Sequence, residues 1–221
     1  MKILIVGRDQ HYQESLLKFG DTHHYTVLPH YDTLPPHLLT CDLVLDFIVA
    51  EQPQQLATYA NTRRPVFLNT VTQSLGALLS QNNFQGPACI VGFNGMHTLL
   101  NRSLLELALG KAEDETIVSD ICEQLQTKYV LVEDRVGLVT PRVICMIINE
   151  AYYTAMEGTA TKEAIDLAMK LGTNYPYGPF EWCARIGIRP VYELLEAVYA
   201  DTKDERYKIC PLLRQEYLRS K

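Results

Sequence analysis

The first residues that could do chemistry follow the first apolar run. Residues 2–7 are short, β-branched and apolar and end on Gly7, and Arg8, Asp9, Gln10, His11 and Tyr12 come next. A glycine turn between a strand and a helix is where a dinucleotide pyrophosphate is held. The first glycine makes the turn, the second lets the phosphates approach the backbone, and the third lets helix and strand pack closely. Gly7 supplies the first, but Asp9 stands at the second position and Tyr12 at the third. A side chain at position 9 is expected to fill space the pyrophosphate needs, and its carboxylate adds like charge. Arg8 would offset part of the phosphate charge. The acid expected at the end of the second strand to hold a ribose is replaced by Pro29 and His30. This degraded fingerprint argues against ordinary NAD binding.

No metal site is expected. His23 and His24 have no carboxylate or thiol at ligand spacing, and Cys41, Cys89, Cys122, Cys145, Cys183 and Cys210 form no CxxC pair. Five of the six lie in or beside apolar runs, which predicts reduced, mostly buried thiols in a cytoplasmic protein. Tyr152, Tyr153, Tyr192 and Tyr199 fall at helical spacings and read as core or interface, and Trp182 as packing between helices.

With 221 residues, 47% hydrophobic and 21% charged, the chain can fold on its own core. A formal net charge of -6 gives it no attraction to phosphate backbones, so nucleic acid is not an expected partner. No run is long enough to span a bilayer, and no basic amphipathic stretch suggests a membrane surface.

The elements that must position the Gly7 turn alternate. Short apolar runs at residues 2–7, 25–28, 43–49, 66–68, 89–93 and 129–132 read as strands. Helix-like segments lie at 11–19, 54–59, 74–79 and 113–125. The alternation predicts a mostly parallel sheet covered on both faces. Residues 29–40 are too short and too rich in proline for a full crossover helix, so this half reads as a trimmed nucleotide fold. After residue 134 the pattern turns helical, with helices at 142–157, after Thr161 up to Gly172, from Pro179, from Pro190 to 199, and at 211–219. The sequence therefore predicts an α/β protein in two parts: a trimmed Rossmann-like domain over residues 1–134 and an all-helical domain over 135–221.

The second half resembles the C-terminal domain of the 3-hydroxyacyl-CoA (3-hydroxybutyryl-CoA) dehydrogenases. The residues that carry it begin with Glu133-Asp134-Arg135-Val136-Gly137-Leu138-Val139, Arg142 and Ile148-Asn149-Glu150-Ala151. They continue with Glu157-Gly158, Ile165-Asp166 and Ala168-Met169-Lys170-Leu171-Gly172. The most specific stretch is Gly172-Thr173-Asn174-Tyr175-Pro176-Tyr177-Gly178-Pro179-Phe180-Glu181, followed by Ile186-Gly187 and Pro211-Leu212-Leu213-Arg214. The turns are expected to rest on Gly172 as a left-handed helix stop and on the Gly178-Pro179 turn. The first half resembles the family's NAD-binding domain through Asp42-Leu43-Val44-Leu45-Asp46, Leu68-Asn69-Thr70 and Leu104-Leu105-Glu106.

The resemblance implies a homodimer formed through the C-terminal helices, NAD as cofactor and an acyl-CoA-like ligand. It also implies a histidine polarised by a glutamate as the proton-transfer pair. Glu106 matches the glutamate. Without a gap the histidine position holds Asn94; with a three-residue gap it is His97. The bland alternatives are a loop histidine at 97 and a solvated strand-end carboxylate at 106. Gly7, Arg8 and Asp46 are the residues left to hold a cofactor. The family serine after Asn-Thr is Val71, and the asparagine before the helix arginine is Pro141. With so many reacting groups replaced, the expected function is a dimeric ligand- or partner-binding protein with lost or much reduced dehydrogenase activity. The alternative is an active NAD-dependent oxidoreductase with a shifted His97/Glu106 dyad.

Overall fold

A computed structural model describes residues 1–220 as two compact units, Met1–Leu138 and a second that begins at Val139. The first unit is α/β. Its strands are β1 Lys2–Val6, β2 His24–Leu28, β3 Leu43–Asp46, β4 Val66–Asn69, β5 Ile90–Phe93, β6 Leu104–Leu109 and β7 Lys128–Leu131. They form one sheet in the order β2-β1-β3-β4-β5-β6-β7. All pairs are parallel except β5 with β6. Strands β1 and β3 to β5 are apolar on both faces and nearly fully buried, as a parallel sheet with helices on both sides requires. The helices are α1 Asp9–Phe19, α2 Leu34–Leu38, α3 Leu75–Gln81 and α4 Glu115–Gln124.

Three local expectations are corrected. The proline segment does contain a helix, α2, because Pro35 and Pro36 sit in its first turn, where a missing N–H leaves nothing unpaired. Residues 53–59 form a 3-10 helix after Pro53 rather than an α-helix. Strand β6 is absent from the expected strand runs, although Glu106 is expected at a strand end: it is leucine-rich rather than β-branched, and burial on both faces rather than propensity makes it a strand.

The second unit is helical: α5 Thr140–Met156, α6 Lys162–Thr173, α7 Pro179–Ile186, α8 Ile188–Thr202 and α9 Pro211–Arg219. Thr161 caps α6 by accepting the Ala164 N–H. The stop of α6 is not Gly172, which stays helical. Asn174 takes the left-handed conformation instead, at φ 55°, as the short amide side chain of Asn tolerates. Likewise α8 starts at Ile188, ahead of Pro190. Gly178 is required by close approach: a Cβ there would lie 2.4 Å from Asp166. That contact lets the Asp166 carboxylate accept the N–H groups of Phe180 (2.8 Å) and Glu181 (3.1 Å) at the start of α7. Glu181 reaches back to the Gly178 N–H and pairs with Lys170 at 2.8 Å. Trp182 is buried against Tyr175 and Tyr177. All six cysteines are buried and free. Among the described residues no helix is long and apolar enough to cross a membrane, and no cluster suits a metal ion.

Candidate functional site

In the first unit the chain runs from β1 outward to β2 and then returns to β3 on the other side of β1. Such a reversal leaves a crevice at the carboxyl ends of β1 and β3, where open α/β sheets take ligands. The crevice collects Gly7 and Arg8 after β1, Asp46 and Phe47 at the end of β3, Asn69 at the end of β4, and Asn94 to Thr98 after β5.

His11 dominates it. The imidazole is buried, parallel to the Phe47 ring (centroids 4.5 Å apart, 6° between planes), and its Nδ1 accepts the Arg8 backbone N–H at 3.0 Å. Gly7 is required here, since a Cβ would lie 2.4 Å from His11 Nδ1. Burial, aided by the Arg8 charge, pushes the imidazole pKa down to about 4, so the ring is neutral. The expectation for Asp9 is corrected. Its side chain is exposed in the first turn of α1, and the residue filling the turn is His11. Tyr12 packs edge-on to Tyr25 over β2 instead. Above the stack, the Arg8 guanidinium makes a two-pronged contact with Glu51 (2.9 and 2.6 Å), which raises the Arg8 pKa further.

Asp46 is fully buried, and both of its oxygens are engaged. It accepts the hydroxyls of Tyr31 (3.0 and 2.8 Å) and Tyr59 (2.8 Å) and the Ile48 N–H (3.0 Å). Burial drives its pKa up to about 6, and these donors hold it from rising further. Burial and the neighbouring carboxylate raise both tyrosines in turn.

Glu106 is buried in the middle of β6, not solvated at a strand end, and its carbonyl accepts the Asn94 N–H at 3.3 Å. Asn94 is buried, with its side-chain oxygen accepting the Met96 N–H at 3.2 Å. His97 is brought to Glu14 of α1: its Nδ1 lies 3.3 Å from Glu14 Oε2, at ion-pair distance without the alignment of a hydrogen bond. The other Glu14 oxygen accepts the Thr98 N–H, and Thr98 has a left-handed φ of 67°. Burial raises the Glu14 carboxyl, opposed by the Thr98 N–H and by His97. Pro141 lies in the first turn of α5, and the Val71 carbonyl accepts the Gly137 N–H at 2.8 Å.

Sequence reasoning missed His11, Glu14, Phe47, Glu51, Tyr31 and Tyr59. One signal was available for the first two. His11, Glu14 and Ser15 share one face of α1 at i, i+3 and i+4, and all three are buried, so the inward stripe of this helix is polar ahead of Phe19.

A Rossmann-like sheet with a crevice at its β1/β3 reversal, followed by an all-helical unit, is the fold also seen in solved dehydrogenase structures. Residues 137–220 match the family profile "3-hydroxyacyl-CoA dehydrogenase, C-terminal domain". The chain is 31% identical over 195 residues to a probable 3-hydroxybutyryl-CoA dehydrogenase of Deinococcus radiodurans. That match covers 84% of this chain and 69% of the relative. To a probable 3-hydroxybutyryl-CoA dehydrogenase of Bacillus subtilis it is 36% identical over 132 residues, covering 58% of this chain and 46% of that protein. The crystal structure of (S)-3-hydroxybutyryl-CoA dehydrogenase from Ralstonia eutropha superposes with a TM-score of 0.73 at 20% identity, over 99% of this chain and 94% of that one. The chain belongs to the 3-hydroxyacyl-CoA dehydrogenase family.

Family membership makes NAD a plausible cofactor, but the residues present do not fit it. The space beside Gly7 holds an imidazole, the Arg8 N–H is bonded to that ring, and the Arg8 guanidinium is bonded to Glu51. Asp46, the acid nearest the crevice, is turned inward to two tyrosines.

Proposed function

We propose that this chain is a 3-hydroxyacyl-CoA dehydrogenase family protein with lost or much reduced hydride-transfer activity, acting as a dimeric binder of an acyl-thioester-like ligand or a partner. The observation that carries the reading is at the proton-transfer position. Beside Glu106 stands Asn94, an amide already committed to Met96 and without a basic nitrogen. Proton-transfer catalysis is worth about 10²–10⁴-fold, so its loss lowers turnover to that extent. Exposed Val139 at the N-cap of α5, Val143 on α5, and Leu167 and Leu171 on α6 support the homodimer. Six free thiols support a reducing, cytoplasmic setting.

One observation favours the alternative of an active NAD-dependent oxidoreductase: His97 does have a carboxylate at its Nδ1, though from Glu14. NADH consumption with acetoacetyl-CoA separates the two. No turnover above background is expected. Turnover at an ordinary enzymatic rate, abolished by His97→Ala, would establish the alternative.

A further inference from the structure

We propose that His11 is the cradle's own occupant: an imidazole from α1 that sits where the Gly7 turn would receive a pyrophosphate and shuts out the dinucleotide while leaving the turn beneath it built. The inference rests on the reading that nicotinamide chemistry has been given up, and it names the residue that keeps the cofactor out.

A phosphate at such a turn needs three things: space against the first glycine, a backbone N–H at the helix start, and no opposing charge. His11 takes the first two. Gly7 is present, yet the room it leaves is filled by an imidazole that a Cβ would strike at 2.4 Å. The Arg8 N–H donates to Nδ1 at 3.0 Å. For the neutral ring this fixes the tautomer: Nδ1 accepts the Arg8 N–H, so Nε2 carries the proton. Phe47 closes the other face of the ring at 4.5 Å, and the Arg8–Glu51 bridge spans from the turn to the segment after β3. The third requirement fails only mildly, because Asp9 is exposed and half a turn away from the filled space. The obstruction is therefore one uncharged side chain, and the strand, turn and helix around it are intact.

The charged and titratable groups acting on His11 are Arg8, Glu51 and His97, the last held by Glu14. None of them offers Nδ1 a better donor than the Arg8 amide.

Calorimetric titration of the full chain with NADH tests the proposal, using wild type, His11→Ser and Asp9→Ser, each checked for a folded spectrum. His11→Ser is expected to bind NADH about tenfold or more tightly than wild type, a gain of about 1.4 kcal/mol. Asp9→Ser is expected to gain little. A gain confined to Asp9→Ser, or no gain in a folded His11→Ser, would overturn the proposal and leave the loss of hydride chemistry standing. Micromolar NADH binding by the wild type would overturn both. Should His11→Ser fail to fold, nitrogen-15 NMR of the wild-type imidazoles decides. A His11 ring with protonated Nε2 and bare Nδ1, unprotonated at pH 5.5, supports the occupant. A ring that titrates near the ordinary imidazole value excludes it.

Discussion

The imidazole of His11 lies 6° from parallel with the ring of Phe47, and the pair joins the first turn of α1 to the residue that follows β3. A proton on the imidazole would occupy the Nδ1 lone pair that accepts the Arg8 N–H and would place a charge in a buried site. That makes acid the simplest probe of the crevice.

The pKa of His11 is about 4 in the folded chain against 6.5 when unfolded. Between those values the unfolded state binds more protons, so stability is full above about pH 6.5 and falls as the pH drops toward 4, by up to about 3 kcal/mol. Asp46 works in the opposite sense. Its folded pKa is raised from 3.8 to about 6, so below pH 6 the folded state holds the extra proton and gains. Burial of Glu14 adds in the same direction as Asp46. Urea denaturation at several values between pH 7 and pH 4.5 is expected to show a smaller acid loss in His11→Ser than in wild type. Equal acid slopes would show that His11 is not held neutral.

Asp46→Asn is expected to destabilise the first unit by about 3 kcal/mol. The amide turns a donor toward groups that are themselves donors, the two phenols and the Ile48 N–H. Tyr31→Phe removes one hydrogen bond to the same carboxylate and should cost about 1–2 kcal/mol. A neutral Asp46→Asn in a denaturant melt would mean the network is not holding the segment.

In the second unit, Gly178→Ala drives a methyl into Asp166, which must swing away from the start of α7. Loss of such a cap costs about 1–2 kcal/mol. Asp166→Ala should cost a similar amount, and the double variant should cost little more than either alone, since both remove one interaction. Additive losses would refute the coupling.

Light scattering at micromolar concentration is expected to give a dimer. Val143→Glu and Leu171→Glu, each placing a charge at an exposed apolar position of α5 or α6, should shift it to monomer without loss of helix content. A monomeric wild type would end the dimer proposal.

The sheet and nearly all the helices were legible because apolar runs and helical spacing report burial directly. Strand β6 was not, since Leu104 to Leu109 carry no β-branched residue and only the partners on both sides define them. The crevice was half legible. The missing glycines announced that the cradle was altered, but the obvious suspect, Asp9, points to solvent. The obstruction comes from a residue two positions on, whose ring direction is set by the helix and by Phe47, 36 positions later in sequence. Likewise, the partner of His97 lies on α1, a pairing that no local spacing encodes.

The short crossover has a consequence for how a domain of this kind can lose chain. The five helical residues between β2 and β3 add only Leu34 and Leu38 to the apolar core, while a short connection lowers the cost of closing the loop. Asp46 restores the hold by other means, since one interior carboxylate grips a tyrosine from the segment before α2 and another from the 3-10 turn after β3. To apolar contact, which is tolerant and directionless, the domain thus adds a polar tie that is neither. Further shortening or lengthening of this crossover would have to keep both phenols in reach of the same pair of oxygens. The trimmed region is therefore the least forgiving part of the first unit to redesign, although by length it looks like the most dispensable.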